Sequence, residues 1–298
     1  MMRMTKALET RFFNRGKGQA AIFCCAILWS TSGLIIKLLD WHPLLIAGGR
    51  SLIAALFLWA VRTVFPRRGK TRSRPGPLIA AGFAYALTMI TFVIANKMTS
   101  AANAILLQYS APVWAVLLGW ILIREKPRWE QWLALGMAAI GFFIFFQKSF
   151  SFQGGGVSAG DLVAVLSGVF FGANSVFMRM QKDGNPADSM LLAHALCAAA
   201  ALPFLFLYTP TPAFISFGAL AFMGIIQVGM ASLFFSYGIK RVSAVGAMLI
   251  ATIEPVLNPV WVFIVTGERP SLRTLIGGGV IVTAVVVSSI LSASRRRS

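Results

Sequence analysis

Residues 97–136 read KMTSAANAILLQYSAPVWAVLLGWILIREKPRWEQWLALG, and residues 240–279 read KRVSAVGAMLIATIEPVLNPVWVFIVTGERPSLRTLIGGG. Aligned without a gap at a constant offset of 143, the two stretches share 11 identities in 40 positions. These include Lys97/Lys240, Ser100/Ser243, Pro112/Pro255, Glu125/Glu268, Pro127/Pro270 and Gly136/Gly279. Composition alone would give about three or four matches, so the chain is a tandem repeat. The likeness continues into the rest of each half with a slip of one residue. Trp29 matches Phe171, Ser32 matches Asn174 and Lys37 matches Arg179 at offset 142, while His42-Pro43 matches Asn185-Pro186 at 143. The repeats therefore run over 17–148 and 160–292, joined by a Gly-rich connector, 149–159, in which Ser158 is placed to cap a helix.

Composition excludes a soluble globule of this length. Hydrophobic residues make up 57% of the chain and charged residues 12%, with a mean hydropathy of +0.77. Apolar runs long enough to cross roughly 30 Å of hydrocarbon as helices fall at 19–38, 44–64, 77–96, 101–123, 131–147, 160–178, 189–208, 214–238, 244–266 and 272–292. The expected fold is an all-α membrane protein of ten transmembrane helices. Each repeat holds five, and an odd number sets the second repeat in the bilayer upside down. Inverted five-helix repeats are a signature of secondary transporters.

A net charge of +18 would point to nucleic acid in a soluble chain, but its distribution points to the lipid bilayer. Of the Lys and Arg residues, 21 fall on one side of the expected spans and five on the other, and Arg50 lies inside a span. That bias places both termini in the cytoplasm. The densest cluster, RTVFPRRGKTRSR at 62–74, has no base-stacking aromatic residues and anchors topology against anionic lipid, so no nucleic-acid partner is expected. Cys24, Cys25 and Cys197 all fall within spans and show no metal-ligand spacing, so neither a metal nor another cofactor is expected. The basic N-terminal segment leads into a span-length apolar run without a convincing cleavage site and reads as retained.

HPLLIAGGRSLIAALFLW in span 2, together with the repeated stretches of spans 4, 5, 9 and 10, resembles the EamA family of the drug/metabolite transporter superfamily. The specific elements are the paired Pro and Glu-x-Pro at Pro112/Glu125/Pro127 and Pro255/Glu268/Pro270, Arg50, and the Glu254-Pro255 step. The resemblance covers nearly the whole chain. It implies a multi-pass carrier of the bacterial cytoplasmic (inner) membrane, often an exporter of amino acids or other small metabolites.

Candidate substrate-binding residues follow from burial costs. A carboxylate near the bilayer centre costs at least about 2.5 to 3.5 kcal/mol, so Glu254 should face a cavity with a partner or a proton. Arg50 lies within about 6 to 9 Å of the same depth, counting 1.5 Å per helical residue, close enough to pair with it. Together they would offer one cation and one anion to a zwitterion. Trp29/Ser32 and Phe171/Asn174 are repeat-matched pairs at i, i+3, and Gln108 and Asn258 share the small-residue faces of spans 4 and 9. Pro112, Pro255 and Pro259 remove helix hydrogen bonds near mid-membrane and would form helix breaks that gate the pathway. His194 reads as a hydrogen-bonded packing residue, and Glu125 and Glu268 as latches between helices.

The GxSxG match at Gly156–Gly160 lacks the strand-to-helix elbow that a serine hydrolase requires, so no enzyme is expected. The reading is a secondary transporter exporting small metabolites such as amino acids by alternating access. Proton-coupled efflux of cationic drugs or amphiphiles is the alternative. The small-molecule substrate and the oligomeric state are left open. With Cys24, Cys25 and Cys197 replaced, single cysteines at Arg72 and Gly154 are expected to label from opposite sides of intact cells with an impermeant thiol reagent. Labelling of both from one side would contradict the inverted repeat.

Overall fold

A computed structural model of the protein describes residues 2–65, 73–99, 101–146, 158–208, 214–266 and 272–294. Among these, every regular element is a helix. The first half holds α1 (Met2–Trp29), α2 (Ser32–Leu38), α3 (Pro43–Val64), α4 (Pro75–Met98), α5 (Ala101–Gln108), α6 (Ala111–Ile123) and α7 (Trp129–Phe146). The second holds α8 (Ala159–Met180), α9 (Pro186–Leu207), α10 (Phe214–Phe222), a π-helical stretch Met223–Met230, α11 (Ala231–Ile239), α12 (Ala244–Ala251), α13 (Ile253–Thr266) and α14 (Leu272–Ser294). Six helical stretches among the described residues are long and apolar enough to cross a membrane: Gly16–Leu38, Pro43–Val64, Pro75–Met98, Ala159–Met180, Pro186–Leu207 and Phe214–Ile239.

Helix starts have local causes. Pro43, Pro75 and Pro186 open α3, α4 and α9, where a missing N–H leaves no bond unmade. Ser158 and Asp161 form a reciprocal capping box at the start of α8, the role its position in the connector predicts. Arg124 ends α6 in the left-handed region at φ 51°; its repeat mate is Gly267, the residue that conformation favours.

Four expected spans are not continuous α-helices. Spans 4 and 9 break at repeat-equivalent points, between Gln108 and Ala111 and at Thr252. In both, a proline follows and removes the N–H that would bond the carbonyl four residues back. Span 1 breaks at Ser30 and Thr31, whose hydroxyls donate to the Ile27 and Leu28 carbonyls at 2.6 and 2.9 Å and compete with the helix ladder. Span 8 widens into the π-helix where Gly224 and Gly229 admit Ile53 and Phe57 of α3.

The outside is apolar, and the apolar core encloses polar groups. Leu56, Trp59, Trp120, Ile140, Phe143 and Phe206 are exposed, whereas Arg50, Gln108, His194, Gln227 and Glu254 are buried. A soluble protein rarely shows either feature on this scale, and a helical bundle in lipid accommodates both.

The halves pack reciprocally. α4 lies against α8 and α1 against α11; α4 lies against α9 and α3 against the π-helix; α7 pairs with α14. Exchanging the repeats maps each packing onto another. α3 and α9 are exchange partners that cross one another, and there His194 Nδ1 lies 3.5 Å from Ser51 Oγ, residues exactly one repeat offset of 143 apart. His194 also bonds Ser232 Oγ at 3.0 Å and so packs as a satisfied histidine.

Contacts separate the two ends of the bundle. At one, Lys37 Nζ donates to the Thr99 carbonyl at 3.0 Å and Thr99 Oγ1 to Asp161 at 2.9 Å. At the other, Arg179 pairs with Glu125 at 3.0 Å and Arg62 with Asp188 at 3.1 Å.

The α3–α9 crossing depends on Gly48, where a methyl group would overlap Ala201 Cβ. Gly48→Ala is expected to lower stability by about 1 to 3 kcal/mol, read as a fall in the thermal midpoint of the purified protein. Ala201→Gly in the same chain is expected to restore it.

Candidate functional site

Where the reciprocal halves meet, side chains from both enclose a cavity. Trp29, Ser32, Arg50, Tyr85, Thr88, Met89, Phe92 and Gln108 come from the first half, and Phe171, Gln227, Val228 and Glu254 from the second. The cavity has a volume of about 20 Å³, on the order of one water molecule. Trp29 stands at its centre, 5.3 Å from Phe171 edge-on, 5.4 Å from Phe235 and 6.4 Å from Tyr85.

The broken helices supply the polar wall. The end of α5 brings Gln108, whose Nε2 donates to Ser167 Oγ at 2.8 Å. Gly168 and Gly172 of α8 make room for this break, since side chains there would strike the Gln108 and Ala111 carbonyls. The π-helix carries Gln227 and Val228 to the cavity, and Gln227 Nε2 reaches the Trp29 carbonyl at 3.5 Å. The start of α13 presents Glu254, 4% exposed. Its Oε2 lies 2.6 Å from the Tyr109 hydroxyl.

Arg50 and Glu254 face the same cavity but make no ion pair. Glu254 is held by Tyr109, and Arg50 Nη2 reaches only the Met89 sulfur, at 3.5 Å. Among the described residues, no carboxylate lies within ion-pair distance of Arg50. Arg50 Nε, Trp29 Nε1 and Gln227 Oε1 are buried with no protein partner. Such atoms are rare in a finished core, and three around one cavity mark a place that water or ligand completes.

Of the expected binding residues, Arg50, Glu254, Trp29, Ser32, Gln108 and Phe171 line the cavity. Asn174 does not; it is fully buried in α8 with both amide atoms unpartnered. Its repeat mate Ser32 reaches the cavity because the break after Trp29 turns α2, and α8 has no such break. The side chains of Asn258 and Pro259 lie outside the described residues. Pro112 and Pro255 sit in the first turns of α6 and α13, directly after the breaks, as expected. Glu125 makes the inter-helix latch with Arg179, while Glu268 lies outside the described residues. Gln227, Tyr85 and Tyr109 are polar and aromatic residues within the expected spans that nothing in the sequence singles out for the cavity, and Thr88, Met89, Phe92 and Val228 carry no sequence signal for it. Tyr109 stands at the break itself.

The family model of EamA-like transporters matches the chain twice, over residues 16–147 and 158–290. The chain belongs to the EamA-like transporter family. It is a multi-pass membrane protein and a transporter. An uncharacterized transporter of Archaeoglobus fulgidus is 25% identical over 274 residues, covering 91% of this chain and 96% of that protein. The pseudopaline exporter CntI of Pseudomonas aeruginosa is 25% identical over 245 residues, 80% of this chain and 84% of the exporter. A protein of known crystal structure, 22% identical, superposes with a TM-score of 0.79 over 95% of this chain and all of that one, a likeness of fold.

Proposed function

We propose that the chain crosses the bacterial cytoplasmic membrane ten times, as two inverted five-helix repeats with both termini in the cytoplasm. It exports small metabolites carrying a carboxylate and an amino group, such as amino acids, by alternating access to the cavity between the halves. One observation carries the substrate class. Arg50 is 1% exposed and faces the cavity, and among the described residues no carboxylate lies within ion-pair distance of it. An uncompensated buried charge is strongly unfavourable, and a substrate carboxylate would supply both the counter-charge and an acceptor for its planar donors. Glu254, which lines the same cavity, would receive the ammonium group. The exporter among the relatives supports the outward direction and a small metabolite. The aromatic lining together with Glu254 favours a second reading, efflux of cationic amphiphiles, in which Arg50 has no part.

Flux measurements in proteoliposomes with labelled amino acids and cationic dyes, with and without a pH gradient, separate the two. Glu254→Gln is expected to abolish transport while leaving the folded protein in the membrane, because removing a buried carboxylate relieves an insertion cost. For a zwitterion, Arg50→Ala is expected to lose about ten- to a hundredfold in affinity, as one charge-assisted hydrogen bond contributes about 1.5 to 3 kcal/mol. A cationic substrate tolerates that change. Wild-type transport in both variants would remove the two charges from the pathway.

A further inference from the structure

Tyr109 stands between two oxygen atoms. Its hydroxyl lies 2.6 Å from the Ala251 carbonyl and 2.6 Å from Glu254 Oε2. The carbonyl is only an acceptor. Pro255 has no N–H to give it, so the tyrosine hydroxyl replaces the bond that the helix lost. A hydroxyl has one proton to donate, and a three-centre bond shared between two acceptors is long in at least one arm. Two contacts this short among three oxygens require two protons. One is the tyrosine's own, and the carbonyl has none.

We propose that Glu254 carries a proton in this conformation, donated to the Tyr109 oxygen, and that Tyr109 is the positioning residue that ties loss of this proton to the helix break before Pro255. The charged and titratable groups facing Glu254 are Cys25 of α1, Arg50 of α3, Tyr85 of α4 and Tyr109 itself. When the carboxyl ionises, its proton leaves to water in the cavity. The Tyr109 hydroxyl then turns its own proton from the Ala251 carbonyl to the carboxylate. The carbonyl is left without that donor, and the junction of α12 and α13 loses one of the bonds that hold it, beside those of Thr252 to Leu249. Ionisation and loosening of the break are thus one event. On the reading of the cavity as the transport site, a substrate ammonium group and this proton compete for the same carboxyl, which makes transport a proton exchange.

Infrared spectra of the full-length protein in liposomes read the proton with no substrate present, so a failure here leaves the transport reading standing. At neutral pH the wild type is expected to show the C=O band of a protonated carboxylic acid that is missing in Glu254→Gln. In Tyr109→Phe the band is expected at higher frequency, because the acid has lost its acceptor. Pro255→Ala gives the Ala251 carbonyl its backbone donor again and frees the tyrosine to serve the carboxylate. The ratio of acid to carboxylate at fixed pH is then expected to fall about tenfold, the effect of sparing one buried carbonyl. Circular dichroism confirms folding of each variant, and Pro255→Ala keeps the test open if Tyr109→Phe does not fold. Absence of the band in the wild type, an unchanged frequency in Tyr109→Phe, or an unchanged ratio in Pro255→Ala would each overturn the proposal.

Discussion

A proline inside a helix leaves the carbonyl four residues behind it without its donor, and in a membrane there is no solvent to make up the loss. Among its helix prolines, Pro112 and Pro255 impose that loss at repeat-equivalent positions, and the centre of the bundle is arranged around the two consequences. The break before Pro112 is set against Gly168 and Gly172, which let α8 approach the freed backbone. The break before Pro255 is met by Tyr109, which reaches across from the other break to the Ala251 carbonyl. Because Tyr109 stands in one break and Ala251 at the edge of the other, a single side chain joins the two weak points of the bundle. Glu254, one residue before the proline, is drawn into the same set of hydrogen bonds.

The separation of Arg50 from Glu254 has an energetic cost. Both side chains are buried, and a buried charge without its partner is strongly unfavourable. Closing the pair would leave Tyr109 with one acceptor. Held apart, the two groups leave a cation and a carboxyl facing one cavity. The aromatic cluster around Trp29 lines the same cavity and lowers the local dielectric, which strengthens whatever a ligand makes with either group.

Much of the fold was legible in the sequence because it rests on periodic, long-range signals. The repeat offset, the apolar runs and the charge bias survive many substitutions, and the cost of an intramembrane carboxylate is large enough to single out Glu254 and Arg50 without coordinates. Details that depend on local competition were not legible. The Ser30-Thr31 break turns on whether hydroxyls bond back to the preceding turn, which exposed serines and threonines in helices also do without bending them. The π-helix at Met223–Met230 leaves no hydrophobic signature, so Gln227 and Val228 could not be assigned to the cavity. Repeat matching misplaced Asn174, since it assumes that equivalent residues keep equivalent surroundings. Its partner Ser32 follows a break that α8 lacks.

That failure of symmetry bears on direction. Repeats that matched in every contact would give the carrier equal barriers at its two ends. Here Lys37 and its mate Arg179 both cap the C-terminal carbonyls of a neighbouring helix, but with different chemistry. Lys37, a point charge, donates to the Thr99 carbonyl. Arg179 uses its fork to hold Glu125 and the Ile239 and Lys240 carbonyls together, at 3.0 to 3.1 Å. A planar guanidinium loses less freedom per bond than an ammonium on a flexible stem, so the same repeat position fastens one end of the bundle more firmly than its mate fastens the other. Duplication gives the two halves a common way of moving, and divergence at such pairs makes the two ends unequal, so that opening one costs more than opening the other, while the gradients across the membrane set the net direction.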